Sequence, residues 1–275
     1  LAAQLFDALA ADTAESGGPG VTRASYGEGE SLAHDLIATT GASLGLEVAT
    51  DAAANTYVTL AGRDRAAAPI IIGSHLDSVH NGGNFDGLAG VVAGMVALAA
   101  MRDASWWPSR DIRVMGIRAE ESAWFGVSYI GSRSALGQLP DGALYDATRA
   151  DTGRALAFHI RDCGGDPDAI AANTAYLDPA HLHAYLELHI EQGPVLQDEG
   201  FPVGIVTGIR GNFRCPEAQV NGEYSHCGGV PRVNRRDAVM AAAEFVSALD
   251  ALWTTSEDAG RDMAVTVGKF FTDPT

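Results

Sequence analysis

The chain has 275 residues, and its 18 basic and 35 acidic residues give a formal net charge of −17. A hydrophobic content of 47% excludes an intrinsically disordered chain, and the acidic balance argues against nucleic-acid or anionic-membrane partners, which attract clustered lysine and arginine. The three cysteines are widely spaced, which favours free thiols in a reducing compartment. Residues 1–15 lack the basic start of a signal peptide, and the uncharged apolar run 87–101 is too short for a membrane span. We therefore expect a cytoplasmic protein without a membrane partner.

The first part of the chain alternates predicted helices and strands. Helical periodicity predicts helices over 1–16, 32–46 and 87–101. Apolar and β-branched runs predict strands over 47–50, 56–60, 69–73, 111–119 and 185–190. This alternation is typical of an α/β sheet.

The pattern changes after residue 204. There we predict strands over 203–209, 213–224 and 263–271 and a helix over 234–252. This β-β-α-β order indicates a small α+β sheet with a helix on one face. We therefore place a domain boundary near residue 205, with one domain over 1–204 and a smaller one over 205–275.

The first candidate site lies where a buried strand ends, in Gly73-Ser74-His75-Leu76-Asp77-Ser78. Strand alternation puts His75 and Asp77 on one face, and Asp86 follows just before a helix. Ligands collect at the carboxyl ends of strands in open α/β sheets, so histidine and carboxylates here indicate a divalent metal site. Spacing alone leaves the alternative open that His-x-Asp occurs by chance and Asp86 only caps a helix.

Two adjacent carboxylates, Glu120 and Glu121, directly follow the predicted strand 111–119. Adjacent carboxylates repel each other unless a cation or a shared proton relieves the repulsion. A glutamate beside a metal can act as the general base that takes a proton from a bound water. The alternative is a solvated acidic loop, which is common in a chain of this charge.

A third feature is the predicted strand 185–190, on which Glu187 and His189 face the same side. Taken alone, His189 is more typical of a hydrogen-bonded core histidine than of a metal ligand. Four residues together have the chemistry that paired metals need: His75, Asp86, Glu121 and His189.

A fourth feature is His226, which lies in a glycine-rich turn outside the first domain. Such a histidine can present its imidazole to a substrate oxyanion, although it can also be a simple exposed turn residue. Ser74, Ser78 and the three cysteines have no neighbouring base in the sequence pattern, so covalent catalysis is not expected.

In this order the motifs resemble the N-carbamoyl-L-amino-acid hydrolase, allantoate amidohydrolase and β-ureidopropionase group of the M20 metallopeptidase-like hydrolases. The segments that carry the resemblance are GSHLDSVHNGGNFDGLAG (73–90), EES (120–122), SYIGSRSALG (128–137), AYLELHIEQGPVLQDEG (184–200) and SHCGGVPRVNRRDAV (225–239). The most specific motif is His-Ile-Glu-Gln-Gly-Pro, because M20 peptidases usually carry a carboxylate where His189 stands. The resemblance implies a mixed-sheet, zinc-peptidase-like catalytic domain and a smaller ferredoxin-like dimerisation domain.

The resemblance also implies two divalent metal ions, zinc or else manganese, cobalt or nickel. His75, Asp86 and His189 would hold one ion, and Asp86 would bridge to a second ion held by Glu121. Asp77 would orient His75 from behind, as carboxylates commonly do for metal-bound histidines.

The same resemblance implies roles in catalysis and assembly. Glu120 would be the general base, and Gln192 would lie near the polar end of the substrate. His226 would reach the active site of the partner subunit in a homodimer, where it would bind substrate and stabilise the oxyanion. The implied reaction is hydrolysis of the N-carbamoyl (ureido) C–N bond of N-carbamoyl-L-amino acids or allantoate-like substrates.

Two departures from the family pattern leave the substrate open. The chain has EESAWF at 120–125 where the family commonly has EEGSRF, and HCGGVPR at 226–232 where it has HAGTTPM. The resemblance places the last predicted strand, 263–271, inside the smaller domain, so we expect the chain, whose last residue is Thr275, to be C-terminally incomplete. It then lacks a final metal-binding histidine and an arginine for the substrate carboxylate. An M20 aminoacylase or dipeptidase, and a non-catalytic metal-binding dimerisation module or enzyme fragment, remain the alternatives.

Overall fold

The computed structural model describes residues 1–14, 18–209, 215 and 217–272. The chain divides into two compact units, Leu1–Pro194 and Val195–Thr275. The domain boundary predicted near residue 205 falls inside the second unit and stays a prediction. Among the residues that the structure describes, none of the helices combines the length and apolar character that a membrane span requires.

The first unit contains a five-stranded mixed sheet, which confirms the predicted α/β class. The strands are β1 (Glu47–Thr50), β2 (Thr56–Leu60), β3 (Ile70–His75), β4 (Ile112–Ile117) and β5 (Ala184–Leu186). Their order is β1-β2-β4-β3-β5, in which β3 runs parallel to both β4 and β5 while β2 is antiparallel to β1 and β4. Because His75 is in register with Ile117, the residues that follow β3 and β4 emerge at the same edge of the sheet.

Eight helices are described in the first unit. They are α1 (Ala2–Thr13), α2 (Glu28–Ser43), α3 (Leu88–Asp103), α4 (Ser122–Phe125), α5 (Ile130–Ala135), α6 (Ala143–Asp146), α7 (Leu156–Asp162) and α8 (Pro167–Ala171). A short 3-10 turn spans Pro179–His181. Helix α1 contacts α2 and α3, both of which contact the sheet. These elements bury an aliphatic cluster that includes Met95, Leu98 and Val114.

The alternation within β3 and β4 explains why both faces of the sheet are buried. Val114 faces the α3 side, while Ile71 and Met115 belong to a separate buried cluster. The small residues of α3 allow close packing, since a Cβ on Gly94 would lie 2.8 Å from Val114 Cγ2. Each aliphatic side chain that becomes fully buried contributes about 1.5–3 kcal/mol. These strands therefore form a rigid base for the residues at their ends.

The start of the second helix and the end of the last strand differ from the predicted bounds for identifiable reasons. Helix α2 begins at Glu28 rather than at residue 32, because the Glu30 carboxylate accepts a 2.6 Å hydrogen bond from the Tyr26 amide and organises an earlier first turn. The predicted strand 185–190 is wrong beyond Leu186. The last pair with β3 is Leu186 with Ile72, and residues 187–190 have no strand pairing.

The second unit contains two short elements, α9 (Val195–Glu199) and a 3-10 turn at Arg232–Asn234, before the long helix α10 (Ala238–Asp258). The Asp237 side chain caps α10 by accepting the Met240 amide over 3.1 Å, which places its start after the predicted residue 234.

The strands predicted for this unit are not found in its described part. Residues 203–209, 217–224 and 263–271 carry no strand, so the predictions there are wrong; residues 210–214 and 216 lie outside the described residues. An apolar run indicates only which face of a segment would be buried, whereas a strand also needs backbone partners on a neighbouring segment. Ile205 and Phe271, which lie within two of these predicted strands, are 93% and 84% exposed.

Candidate metal centre

The centre is built around Asp86, which lies between two histidines and directly precedes Gly87, the N-cap of α3. Its Oδ1 lies 3.8 Å from Nε2 of His75 and 3.3 Å from Nε2 of His189. His75 is the last residue of β3 and its side chain is 4% exposed, while His189 follows β5 and its side chain is 34% exposed. Three sequence-predicted ligands thus meet at one point, each carried by a different element.

The hydrogen bonds of the two histidines determine which ring nitrogen faces Asp86. Nδ1 of His75 lies 3.0 Å from the Asp77 carbonyl, and Nδ1 of His189 lies 2.8 Å from the Ile190 carbonyl. A carbonyl oxygen can only accept, so each Nδ1 carries a hydrogen, and in a neutral ring Nε2 offers its lone pair. Both lone pairs point at Asp86.

The Asp86 oxygen between these rings is itself without a hydrogen-bond partner. Within the described residues, Oδ1 of Asp86 is a buried acceptor that no donor reaches. With both rings neutral, one acceptor oxygen and two acceptor nitrogens meet here without a proton donor, and leaving the buried Asp86 oxygen unpaired costs free energy. A divalent cation satisfies all three, and the mixed N and O donor set suits zinc and its neighbours in the first transition series. The residues therefore fit a bound metal.

A second group of possible ligands shares His75. One ligand atom from each of His75, Glu120 and Glu121 lies within 4.8 Å of the others, as is also true of His75, Asp86 and His189. Both glutamates follow β4, and the register of β4 with β3 brings them beside His75. The predicted adjacent carboxylates are thus at the centre rather than in a remote acidic loop.

Asp77 holds the backbone of the two glutamates. Its Oδ1 accepts the Glu120 amide over 3.1 Å, and its Oδ2 accepts the Glu121 amide over 3.1 Å. The Ser25 hydroxyl donates to Oδ2 over 2.6 Å. Oδ1 also lies 3.4 Å from Nδ1 of His75, so one fully buried carboxylate connects the loop after β3 with the loop after β4.

The centre carries a concentration of negative charge. Burial raises the pKa of Glu120, the charge of His75 opposes that rise, and the charges of Glu121 and Asp77 add to it. Burial likewise raises the pKa of Glu121. Burial alone would lower the pKa of His75, but the hydrogen bond and charge of Asp77, with Glu120 and Asp86, raise it to about 9. This environment favours the entry of positive charge.

Gln192 contacts Asp86 rather than standing apart from the metal ligands. Its side-chain amide donates to Oδ2 of Asp86 over 2.7 Å, while its own backbone has φ of +57°. The amide occupies the oxygen that faces away from the histidines. The donor leaves Oδ1 as the oxygen available to a cation.

Two glycines allow the histidines to reach their positions. A Cβ on Gly87 would lie 2.5 Å from the His75 ring, and Gly87 itself has φ of +64°. The ring therefore lies directly on the backbone at the start of α3. A Cβ on Gly90 would collide with the Leu188 carbonyl, so the absence of a side chain lets the segment that carries His189 pass close to the same helix.

Three contributors to the centre were not recognised from the sequence: Arg23, Ser25 and Ser74. Ser74 donates to Glu187 over 2.6 Å and so connects β3 to the segment after β5, and Glu187 had been placed on the His189 face without a role. Ser25 lies 52 positions before the Asp77 that it contacts. No local pattern marks a residue whose partner is so distant in the chain.

His226 lies in the second unit, at an exposed turn. Its Nδ1 accepts the Gly228 amide over 3.2 Å and the Gly229 amide over 2.9 Å. A neutral ring bonded in this way carries its hydrogen on Nε2, so it offers a hydrogen-bond donor. The role predicted for His226 at a partner's active site stays a prediction.

Comparison with known proteins places this geometry in a family. The model of the peptidase family M20/M25/M40 matches residues 71–273, which is most of the chain. The chain belongs to the M20/M25/M40 family. The match includes the seven residues His75, Asp77, Asp86, Glu120, Glu121, His189 and Gln192 described above.

Two similar proteins are named for reactions of N-carbamoyl-L-amino acids and of allantoate. The chain is 39% identical over 249 residues to the N-carbamoyl-L-amino acid amidohydrolase of Geobacillus stearothermophilus, an alignment that covers 90% of this chain and 58% of that protein. It is 32% identical to allantoate deiminase 1 of Glycine max, covering 82% of this chain and 46% of that protein.

A solved structure of the same family has a similar fold. The hydantoinase/carbamoylase family amidase from Burkholderia ambifaria has a TM-score of 0.73 and 32% identity. The match covers 93% of this chain and 61% of that one. The chain thus spans between about half and three fifths of the length of these relatives.

Proposed function

We propose that this chain forms the metal-binding part of an amidohydrolase that cleaves the ureido C–N bond of N-carbamoyl-L-amino acids or allantoate-like compounds. The observation that carries the proposal is the buried, unpartnered Oδ1 of Asp86 between Nε2 of His75 and Nε2 of His189. The names of the relatives support the substrate class.

In this proposal the centre would take two divalent ions. His75, Asp86 and His189 would hold one, and Glu121, with Asp86, would hold the other. Bound divalent ions lower the pKa of water and polarise a carbonyl, which is the chemistry that hydrolysis of a ureido group needs. Zinc, manganese, cobalt and nickel all accept this nitrogen and oxygen donor set.

Glu120 is the group that moves the proton. Its carboxylate accepts a proton from the attacking water and donates it to the leaving nitrogen, so one C–O bond forms as the C–N bond breaks. Burial raises the pKa of Glu120, which brings the carboxylate closer to the range in which it can both take and return a proton. Asp77 keeps Glu120 in place through its backbone amide.

Two further residues serve the substrate in this proposal. Gln192, held against Asp86, presents its amide at the edge of the centre near the substrate's polar end. His226 of a second subunit donates from Nε2 to the developing oxyanion, a contact that contributes about 3–4 kcal/mol in enzymes where it has been removed. The orientation of the His226 ring by the Gly228 and Gly229 amides supports this donor role.

The assembly and location form a separate proposal. We infer a cytoplasmic homodimer in which the second unit supplies the contact between subunits. The free cysteines Cys163, Cys215 and Cys227 suit a reducing compartment. Helix α10 leaves Met240, Phe245 and Leu252 exposed, and exposed apolar side chains favour association. Light scattering that returns a mass near 28.6 kDa at micromolar concentration would contradict the dimer.

The function is tested with the purified chain loaded separately with Zn²⁺, Mn²⁺, Co²⁺ or Ni²⁺. Each sample receives N-carbamoyl-L-amino acids, allantoate, N-acetyl-L-amino acids and dipeptides, and ammonia and free amino groups are measured. We expect ammonia from a ureido substrate, with bound metal verified by elemental analysis. Cleavage of acetyl or peptide substrates alone would instead assign the aminoacylase or dipeptidase reaction. Metal-loaded protein that cleaves nothing would instead assign the non-catalytic metal-binding alternative, and protein that binds none of the four metals would contradict the proposed centre.

A further inference from the structure

The separation of the metal ligands depends on the loop of residues 76–85, which joins His75 at the end of β3 to Asp86 before α3. A loop of this length tolerates many end-to-end distances unless other groups fix its ends. The described structure nevertheless brings Nε2 of His75 within 3.8 Å of Oδ1 of Asp86. The packing of α3 against β3 brings the two ends of the loop near each other, and a connection across the loop can then fix their separation.

Arg23 makes that connection from a distant part of the chain. Its Nε donates to the Leu76 carbonyl over 2.8 Å, at the beginning of the loop. Its two terminal nitrogens donate to Oδ1 and to the carbonyl of Asn84 over 3.0 and 3.2 Å, at the end of the loop. The three donors of one planar guanidinium therefore span the whole loop.

The backbone of Arg23 adds a further pair of contacts. Its amide donates to the Ser78 hydroxyl over 2.9 Å, and its carbonyl accepts the Ser78 amide over 2.9 Å. Asn84 is held in turn, because its side-chain amide donates to the Phe6 carbonyl over 3.2 Å. The loop is thus fixed at its start, near its middle and at its end.

The surroundings of Arg23 are unusual for an arginine. The residue is fully buried, and within the described residues no carboxylate forms an ion pair with its guanidinium. Burial lowers the pKa of Arg23, while the charges of Asp77, Asp86 and Glu30 oppose that effect. The acidic centre therefore compensates the burial of this cation without contacting it, and the guanidinium hydrogen bonds of the described structure all go to residues of the loop.

We propose that Arg23 is a positioning residue of the metal centre, which sets the distance between His75 and Asp86 by joining Leu76 to Asn84. This inference rests on the proposed metal centre. Lysine cannot replace arginine in the role, because a single ammonium cannot hold both ends of the loop in a fixed plane. We therefore expect substitution of Arg23 to weaken metal binding by more than it lowers the free energy of unfolding.

The test measures Co²⁺ binding to the full chain by calorimetry and by the visible absorption of the bound ion. We expect Arg23→Lys to weaken binding about tenfold or more, as is typical when a group supporting a metal ligand is lost. The control is Arg110→Met, because Arg110 also donates to a backbone carbonyl, that of Ala68 over 2.8 Å, but lies near the opposite end of β3. The control should bind Co²⁺ within about twofold of the wild type, and both variants should unfold cooperatively.

A second variant keeps the inference testable if Arg23→Lys does not fold. Asn84→Ala leaves Arg23 in place and removes one of its acceptors, so it should weaken Co²⁺ binding by a smaller factor. Added to Arg23→Lys, it should cause little further loss, because both act through one connection. Unchanged affinity in Asn84→Ala, or in a folded Arg23→Lys, would overturn the role of Arg23. Failure of the wild type to bind Co²⁺ would instead overturn the proposed metal centre.

Discussion

Gln192 donates its side-chain amide to Oδ2 of Asp86 over 2.7 Å, which makes the two oxygens of this carboxylate unequal. Oδ2 is hydrogen-bonded, whereas Oδ1 faces two histidine nitrogens and has no donor among the described residues. A carboxylate that can rotate freely would offer either oxygen to a cation. Here the hydrogen bond from Gln192 to Oδ2 leaves Oδ1, which lies beside the two histidines, available to a cation.

Replacing Gln192 with alanine or with glycine distinguishes the effect of its hydrogen bond to Asp86 from the effect of its backbone strain. Both variants lose the amide, so we expect both to bind Co²⁺ more weakly than the wild type and equally to each other. Glycine also relieves the left-handed backbone at φ +57°, so its free energy of unfolding should exceed that of the alanine variant by about 1 kcal/mol. Calorimetry and urea titration measure the two quantities, and a difference in Co²⁺ affinity between the variants would contradict this division.

Asp77→Asn tests whether one carboxylate positions the two glutamates. Asparagine keeps one acceptor oxygen, but its NH₂ group then faces an amide N–H, so one buried amide loses its partner at a cost of about 1–3 kcal/mol. We expect a lower free energy of unfolding and fewer Co²⁺ ions bound per chain. The control Ser25→Ala removes one hydrogen bond to Asp77 and leaves both amides accepted, so the bound stoichiometry should not change.

Gly87→Ala should disturb the His75 ring directly. The new methyl group would lie 2.5 Å from ring atoms at a position with φ of +64°, so we expect a destabilisation of about 2 kcal/mol or more. The control is Gly83→Ala in the same loop, where no atom lies within 4 Å of an added Cβ. Thermal unfolding that shifts equally in both variants would be inconsistent with the close contact at Gly87.

Glu120→Gln should separate metal binding from turnover. Glutamine preserves the shape of the side chain but cannot accept the proton of water, so we expect turnover to fall at least about 100-fold. Glu121→Gln is the companion variant and should lower the amount of bound metal. Ammonia release and elemental analysis measure the two effects. Near-normal turnover in Glu120→Gln would remove this residue from the proposed chemistry.

The pH dependence of stability should depend on His34. This buried histidine bonds Thr56 through Nδ1 over 2.8 Å, and Nε2 has no partner among the described residues. Burial, and then the charge of Arg118, lower its pKa well below the usual value. The unfolded chain therefore binds a proton below about pH 6.5 that the folded chain does not. Its contribution to stability is complete above that pH and is lost as the pH falls.

This effect corresponds to about 1.4 kcal/mol per pH unit from one histidine below its unfolded pKa. His34→Gln retains a hydrogen-bonding side chain but does not titrate, so its unfolding free energy should fall less steeply between pH 6.5 and 5 than that of the wild type. Chemical denaturation at a series of pH values measures both slopes, and the other titrating groups cancel in the difference. Parallel curves would show that His34 does not contribute.

The sequence allowed prediction of the features that depend on local pattern. β1 and β2 have the predicted bounds, and β3, β4 and α3 are displaced by a few residues, because alternation and helical periodicity record which side chains are buried. The proposed ligands at the ends of these elements, His75, Asp86 and Glu121, lie together because parallel strands end at one edge of the sheet.

The remaining features depend on contacts between distant parts of the chain. Arg23 and Ser25 act on residues more than fifty positions later, and nothing in their neighbourhood distinguishes them from other loop residues. The predicted strand beyond Leu186 failed for a related reason. The segment does alternate in sequence, but Glu187 bonds the Ser74 hydroxyl and the Leu188 carbonyl lies close to Gly90 of α3. The segment therefore lies beside α3 without strand pairing.

The short pairing of β5 with β3 has a consequence for the order in which the centre is completed. Only three residues of β5 are in register with β3, so His189 stands beyond the end of the ladder on a largely exposed segment. The other ligands belong to elements anchored in the aliphatic core. An ion held first by His75 and Asp86 would then bind His189 and so attach the segment after β5 to the sheet. The cation would join two stretches of chain as a cross-link does, and releasing it would loosen the final ligand before the others.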